Sequence, residues 1–345
     1  MGSCSSVNRN PAAKPHAQKT RHEDMRYNGL KNQGSTCYLN TVLQCLYMTK
    51  DFRTAVESFK QGPKDSSQGS VDLLLQLQTL FGTLKVARGT TRGITRSLRI
   101  RNVHEQQDAV EYYQKILKTV GPPVSQVFEG KISNNSKCLK GHIFQEKCSF
   151  ITIPLAIEVG HNEVFNVNEG LKAFFKPSTL DEDNWLYCDQ CDQKTESETW
   201  NKIEEIPTVL TLHLKRFDFD FMQMKHVKNH CAMDIPLSLQ IKDYEYDLYA
   251  VINHKGDRSG GHYNAVIKSF EDDQWYCFDD SSVTKDSNGS LQMSRFAYLL
   301  MYRQRAESRQ RSSVLCKLLQ SRALWICLFS SICFFLYVSK PARRV

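Results

Sequence analysis

A change of hydrophobic pattern at residues 121–123 (Gly-Pro-Pro) limits what this chain can fold into. Before this point, residues 39–46, 73–84 and a third segment beginning at His104 carry apolar side chains at helical spacing. After it, β-branched and alternating residues predict strands at 151–157, 208–217, 248–253, 263–267, 274–278 and 297–302. Because the helical segments precede the strands instead of alternating with them, the sequence predicts an α+β architecture.

Cys37 lies where a polar, glycine-containing loop runs into the first helical segment. Ser35 or Thr36 is the predicted N-cap, which puts Cys37 in the first turn of the helix. The positive end of the helix dipole lowers a thiol pKa from about 8.5, and the unpaired backbone N–H groups there can hold an oxyanion. Cys37 is therefore a candidate nucleophile, and the alternative is a small buried hydrophobic residue.

A candidate base follows much later in the chain, in residues 259–266 (SGGHYNAV). The two glycines let another backbone approach closely, and His262 begins a predicted strand. The next strand ends in Asp279 and Asp280, so a hairpin would return a carboxylate to His262 and fix its tautomer. Taken singly, His262 could be an ordinary strand-end histidine and the two aspartates an exposed turn.

The cysteine content and charge of the chain restrict its setting. Twelve cysteines occur without the apolar segment of a secretory signal, which indicates a reduced, cytosolic environment with free, metal-binding or catalytic cysteines. The net charge of +8 is moderate, and the basic residues crowd near both termini. This distribution favours a membrane surface as partner, and no nucleic-acid partner is predicted.

Four motifs in order, between Tyr27 and about Arg303, resemble those of the ubiquitin-specific proteases. Residues 29–40 (GLKNQGSTCYLN) resemble the Cys box of that family, and residues 260–263 with 275–280 resemble its His box. Residues 107–111 resemble the intervening helix motif, and residues 212–217 resemble the signature strand. The run LKRFDFD is particularly similar to the branch that includes the herpesvirus-associated ubiquitin-specific protease.

The resemblance implies a papain-like cysteine protease fold with thumb, palm and fingers, and a deubiquitinating activity that needs no cofactor. The bond cleaved would be the amide or isopeptide bond after the C-terminal Gly-Gly of ubiquitin, in ubiquitinated proteins. Carried over by position, Cys37 is the nucleophile, His262 the general base, Asp279 the third member and Asn32 the oxyanion-hole amide, with Asp280 ranked below Asp279. The alternatives are a protease for another ubiquitin-like modifier and a ubiquitin-binding membrane scaffold with little catalysis.

The fingers of this family often hold a structural zinc through two Cys-x-x-Cys pairs. Here Cys188 and Cys191 form one pair, but in the second a glycine follows Cys138 where another cysteine is expected. Structural zinc takes four ligands, and His142 or Cys148 could complete the set. The alternative is a hairpin without metal that retains its cysteines.

The last part of the chain predicts a membrane anchor. Residues 323–339 contain no charged side chain and are flanked by basic residues, which is at the lower limit for a transmembrane helix. The alternative, a buried C-terminal helix, is disfavoured because an all-round apolar helix at the end of a complete domain finds little core to enter. The fold prediction therefore adds a C-terminal hydrophobic helix, with residues 340–345 as a short basic tail.

The N-terminal residues MGSCSS fit the N-myristoylation pattern at Gly2, with Cys4 as a candidate palmitoylation site, and the alternative is an unmodified terminus. The predicted organisation is a disordered arm (1–24), a catalytic domain (25–305), a basic linker (306–322) and the anchor. This order places the catalytic domain in the cytosol, on the cytoplasmic face of a membrane.

Overall fold

The computed structural model describes residues 26–61, 68–160, 163–222, 224–257, 260–286 and 293–306. The predicted membrane anchor, the N-terminal arm and the two candidate lipidation sites, Gly2 and Cys4, lie outside these residues. Within the described ranges, no helix combines the length and the apolar character that crossing a membrane requires.

Most helices precede the sheet, as the sequence predicts. The α-helices of the described residues are α1 (Cys37–Tyr47), α2 (Lys50–Ser58), α3 (Gln68–Leu84), α4 (Arg92–Ser97), α5 (Ala109–Val120) and α6 (Val167–Phe175). Helix α5 begins at Ala109 and not at His104, because the Asp108 carboxylate accepts hydrogen bonds from the backbone N–H groups of Val110 (2.7 Å) and Glu111 (3.0 Å). Asp108 thus acts as the N-cap and fixes where the helix starts.

The strands form one large sheet and several smaller ones. They are β1 (Leu30–Lys31), β2 (Gly89–Thr90), β3 (Gly130–Cys138), β4 (Ile143–Phe150), β5 (Ile153–Ala156), β6 (Val164–Asn166), β7 (Ser178–Thr179), β8 (Leu186–Cys188), β9 (Gln193–Thr195), β10 (Ser197–Glu205), β11 (Val209–Lys215), β12 (Phe217–Asp220), β13 (Lys225–Lys228), β14 (Ala232–Asp234), β15 (Ser238–Ile241), β16 (Tyr244–Asp257), β17 (Gly260–Lys268), β18 (Trp275–Asp279), β19 (Ser282–Lys285), β20 (Met293–Ser294) and β21 (Ala297–Gln304).

The central sheet has eight strands, in the order β19-β18-β17-β16-β21-β11-β5, with β15 paired to β16. Its neighbours are antiparallel except for β11 and β5. All six strands predicted from the sequence belong to this sheet. Helices α1 and α5 contact the sheet, α3 packs against α5, and Leu43, Phe81 and Tyr113 of these helices are fully buried. The α+β prediction is confirmed, and the first helix lies directly on strand β17, which carries His262.

A second sheet, in the order β4-β3-β10-β7, extends from the central one. Strand β4 is exposed along nearly its whole length, and large apolar side chains such as Ile143 and Phe144 are among its exposed residues. The turn after β3 contains Gly141 with φ of 88°, a conformation that favours glycine. This turn and the one between β8 and β9 carry the four predicted metal ligands.

Candidate active site

Cys37 is the first residue of α1, and only 3% of it is exposed. Thr36 stands at the N-cap position, but its hydroxyl is used inside the preceding loop. The Thr36 hydroxyl donates to Asn32 Oδ1 (3.1 Å) and accepts from the Gln33 backbone N–H (3.0 Å). These hydrogen bonds stabilise the loop immediately before the thiol. Because the Thr36 hydroxyl does not cap the helix, the backbone N–H groups of the first turn of α1 receive no side-chain cap beside Cys37.

The Cys37 thiol has a raised pKa, contrary to the lowering predicted from its place at a helix start. Burial is the largest cause, and the negative charge of Asp280 adds to it. Backbone hydrogen bonds from Tyr263, Tyr38 and Cys37 itself favour the thiolate but do not outweigh burial. Burial therefore favours the protonated thiol in the free protein, and the nucleophilic thiolate requires a base to remove the proton.

His262 and Asp279 are brought together by the β17–β18 hairpin. His262 Nε2 lies 2.6 Å from Asp279 Oδ1, and both side chains remain nearly half-exposed (42% and 46%). Because a carboxylate only accepts hydrogen bonds, Nε2 carries the proton in neutral His262, and Nδ1 is left as the acceptor of the ring. The next residue, Tyr263, is the one whose backbone meets the Cys37 sulfur.

Asn32 is held at both ends of its amide. Its Oδ1 accepts from the backbone N–H groups of Gly34 and Thr36, both at 2.9 Å. Its Nδ2 donates to Asp280 Oδ2 at 2.9 Å. A side-chain amide nitrogen has two hydrogens, so one remains for another acceptor. Asn32 is therefore a fixed donor in the loop before Cys37.

The Asp280 carboxylate lies within 4.8 Å of a ring nitrogen of His262 and a carboxylate oxygen of Asp279, but its hydrogen bonds go to other residues. Its carboxylate accepts from Asn32 and, through Oδ1, from Asn40 Nδ2 at 2.7 Å, and its backbone carbonyl accepts from Leu30 N–H at 2.7 Å. Its φ of 47° is left-handed. A Cβ added at Gly29 would lie 2.4 Å from the Asp280 carbonyl oxygen, so this close contact requires glycine.

Asn40 is a site residue that the sequence analysis did not select. It is 1% exposed, lies one turn after Cys37 in α1, and anchors the carboxylate that holds Asn32. The available signal was a polar side chain within a mostly apolar helix that packs in the core, since buried polar groups are usually hydrogen-bonded.

An acidic cleft of about 570 Å³ has Tyr263, the residue after His262, on its wall. The carboxylates of Glu105, Asp108, Glu111 and Asp257 line it together with aromatic rings, among them Tyr263. The motif at residues 107–111 therefore contributes to the cleft wall.

The four candidate zinc ligands meet at one point, since the donor atoms of Cys138, His142, Cys188 and Cys191 all lie within 4.8 Å of one another. His142 Nδ1 is 3.3 Å from Cys191 Sγ and 3.6 Å from Cys188 Sγ. Of the two residues considered for the fourth position, the structure selects His142, whereas Cys148 is exposed on β4. Three thiols and one imidazole fit structural zinc, which such a set would bind as three thiolates and one neutral ring.

A cysteine at a helix start, beside a strand that carries a carboxylate-bound histidine, is the arrangement of papain-like thiol hydrolases. Comparison with known proteins identifies one family within the papain-like thiol hydrolases. Residues 28–302 match the family model for ubiquitin carboxyl-terminal hydrolases, and the chain belongs to this family.

Several curated relatives carry the same family name. Ubiquitin carboxyl-terminal hydrolase 47 of Xenopus tropicalis is 30% identical over 387 aligned positions, which cover 83% of this chain and 28% of the relative. Hydrolase 47 of Drosophila melanogaster is 28% identical, covering 81% and 25%. Hydrolase 40 of Mus musculus is 30% identical, covering 74% and 23%. The chain thus spans about a quarter of the length of these relatives.

Proposed function

We propose that this chain is a cysteine-type deubiquitinase that hydrolyses the amide or isopeptide bond after the C-terminal Gly-Gly of ubiquitin. The observation that carries the proposal is the 2.6 Å contact between His262 Nε2 and Asp279, on the strand whose next residue meets the buried Cys37 thiol. Family membership supports it, because residues 28–302 match the ubiquitin carboxyl-terminal hydrolase model.

In the proposed reaction, His262 Nδ1 accepts the thiol proton of Cys37 as the sulfur attacks the carbonyl carbon of the last glycine of ubiquitin. The remaining Nδ2 hydrogen of Asn32 and the backbone N–H of Cys37 stabilise the oxyanion. The C–N bond then breaks, and the imidazolium gives its proton to the leaving amine. Water hydrolyses the thioester, with His262 again as base, and Asp279 stabilises the imidazolium at each stage.

The acidic cleft is suited to an extended tail that ends at Cys37. Aromatic rings on its wall provide apolar contact, and its four carboxylates attract a positively charged segment. A Gly-Gly terminus lacks side chains, so it can pass the ring of Tyr263 to reach the thiol.

The test is covalent labelling of the full chain by ubiquitin that carries a C-terminal electrophile. Wild type should be labelled at Cys37, and Cys37→Ala should not. If folded wild type is not labelled, or if both proteins are labelled equally, the proposal fails. Probes built on other ubiquitin-like modifiers, run in parallel, distinguish a protease for one of those modifiers from a deubiquitinase.

We also propose that residues 323–339 anchor the chain in a membrane with the catalytic domain on the cytosolic side, assisted by acylation at Gly2 and Cys4. The supporting observations are the uncharged apolar segment, its basic flanks and the N-terminal sequence. Deletion of residues 324–345 together with Gly2→Ala should move the protein from the membrane to the soluble fraction. Soluble full-length protein would contradict the anchor.

A further inference from the structure

Lys228 is a buried lysine at the end of β13, with only 5% of its surface exposed. Its Nζ lies 2.9 Å from His254 Nδ1, 2.8 Å from the His254 carbonyl oxygen and 2.7 Å from the Gly256 carbonyl oxygen. An ammonium group has three N–H donors, and these acceptors use all three. The charge is therefore held by three directional hydrogen bonds to neutral groups of a single strand.

The part of β16 that Lys228 binds is the pairing partner of the segment around His262. Gly256 lies opposite Gly261, and His254 lies opposite Tyr263, so His262 stands between the two paired positions. Lys228 holds the carbonyl groups of residues 254 and 256 in place. Since β16 is hydrogen-bonded to β17, the backbone of His262 on β17 is fixed as well.

The His254 ring makes a second connection to the same segment. A Cβ added at Gly261 would lie 2.5 Å from His254 Nε2, so the ring packs directly on the residue before His262. The centroids of the His254 and Tyr263 rings are 4.4 Å apart, so the ring also packs on the residue after it. Tyr263 is in turn the residue whose backbone contacts the Cys37 sulfur.

The pKa values of His254 and Lys228 are consistent with a hydrogen bond from the ammonium group to the ring. Burial, with the nearby charge of Lys228, lowers the pKa of His254 to about 4, so the ring is neutral at physiological pH and its Nδ1 can accept from the ammonium. Burial and the Arg216 charge lower the pKa of Lys228 to about 8, while Asp257 opposes the shift. The Lys228 ammonium is therefore the hydrogen-bond donor, and the neutral His254 ring is the acceptor.

We propose that Lys228 is a positioning residue for His262, because its ammonium fixes residues 254–256 and thereby the backbone on both sides of the predicted base. This inference rests on the proposed function, since it concerns the base of that reaction. His254 contributes to the lining of the acidic cleft, whereas Lys228 lies behind it. Loss of Lys228 should therefore affect the chemical step more than ubiquitin binding.

The experiment compares Lys228→Met with Lys225→Met in the full chain, because Lys225 is an exposed lysine on the same strand. The substrate is ubiquitin with a fluorogenic C-terminal amide. For Lys228→Met we expect kcat to fall about tenfold to a hundredfold, because a base displaced by up to about one ångström reacts that much more slowly. KM should change less than about twofold. Lys225→Met should match wild type. In proton NMR spectra, the signal of the His262 Nε2 proton bound to Asp279 should weaken only in Lys228→Met.

The outcomes separate this inference from the proposed function. An inert wild type defeats the proposed function. If wild type is active, the role of Lys228 is overturned by any of three results in folded Lys228→Met. These results are an unchanged kcat, a change confined to KM, and an unaltered NMR signal of His262. If Lys228→Met does not fold, Lys228→Gln is measured by the same criteria, because its neutral amide offers two N–H donors in place of the three of the ammonium group.

Discussion

The candidate active site combines a helix start, a loop and two strands, whereas the Cys/His cluster comes from two turns, and the two sites are held together in different ways. At the active site, Asp280 receives hydrogen bonds from Asn32 and Asn40, and Asp279 receives one from His262. At the cluster, three sulfur atoms and one ring nitrogen face one another, with sulfur–nitrogen distances of 3.3 and 3.6 Å and a sulfur–sulfur distance of 3.9 Å. Thiols are weak donors, so these contacts supply little hydrogen-bond energy.

The difference indicates what each site requires. At the active site, Asn32 and Asn40 donate to the carboxylate of Asp280, and His262 donates to that of Asp279. The cluster brings together three sulfur atoms and one ring nitrogen within 4.8 Å of one another, a set that fits structural zinc. Changes at the first site should therefore alter catalysis without altering metal content, and changes at the second should do the reverse.

The largest effect on rate is expected for His262→Ala. Removal of the base leaves a protonated thiol at neutral pH, and turnover should fall by about ten-thousandfold or more. The measurement is hydrolysis of a ubiquitin C-terminal amide, with bound zinc and Tm recorded on the same sample. A simultaneous loss of zinc or of thermal stability would contradict the independence of the two sites.

At the cluster, Cys188→Ser should abolish stoichiometric zinc binding and lower Tm, because structural zinc requires all four ligands. Metal content is measured by elemental analysis after purification without chelator. Cys148→Ser is the matched control, since Cys148 is exposed and stands apart from the four donors. Equal metal content in both variants would count against a zinc site.

Asn32→Ala should lower kcat by about a hundredfold to a thousandfold, the usual effect of removing one oxyanion-hole donor. KM should change much less, because the oxyanion forms only during the reaction. The same kinetic assay measures both constants. If Asn32→Ala keeps wild-type kcat, Asn32 serves only to fold the loop before Cys37.

Asp280→Asn should have the smallest effect on turnover, about tenfold, because asparagine keeps one acceptor for two amides. It should also lower the pKa of Cys37. Burial is the main cause of the raised pKa and persists, but the Asp280 charge that adds to it is removed. Alkylation of the thiol by iodoacetamide should therefore begin at lower pH in the variant than in wild type. A shift to higher pH would show that Asp280 acts on Cys37 in another way.

The sequence predicts correctly those features whose pattern lies within one short stretch of the chain. The six predicted strands all have a buried face, and the hairpin after His262 returned Asp279 to it, as the polar loop predicted. Strands β3 and β4 were not predicted individually, because β4 is exposed almost throughout and has no clear apolar alternation. The start of α5 depended on Asp108, a single capping side chain.

The remaining misses involve partners that are distant in the sequence. Asn40 and Lys228 contact groups that are 240 and 26 residues away, and neither contact leaves a local pattern in the sequence. The pKa of Cys37 was predicted in the wrong direction because its helix position can be read from the sequence, whereas the depth of its burial cannot. The choice between His142 and Cys148 likewise needed the geometry of the turn.

The bond between Leu30 N–H and the Asp280 carbonyl joins the two ends of the catalytic region, and Asn32 meets Asp280 across 248 residues. During translation, the loop before Cys37 leaves the ribosome long before the strand that carries its partner. At about 5–20 residues per second, the interval is roughly 12–50 s. For most of that interval the nascent polypeptide has the Cys37 thiol without His262, so the hydrolysis that we propose requires a chain completed at least to the end of β18.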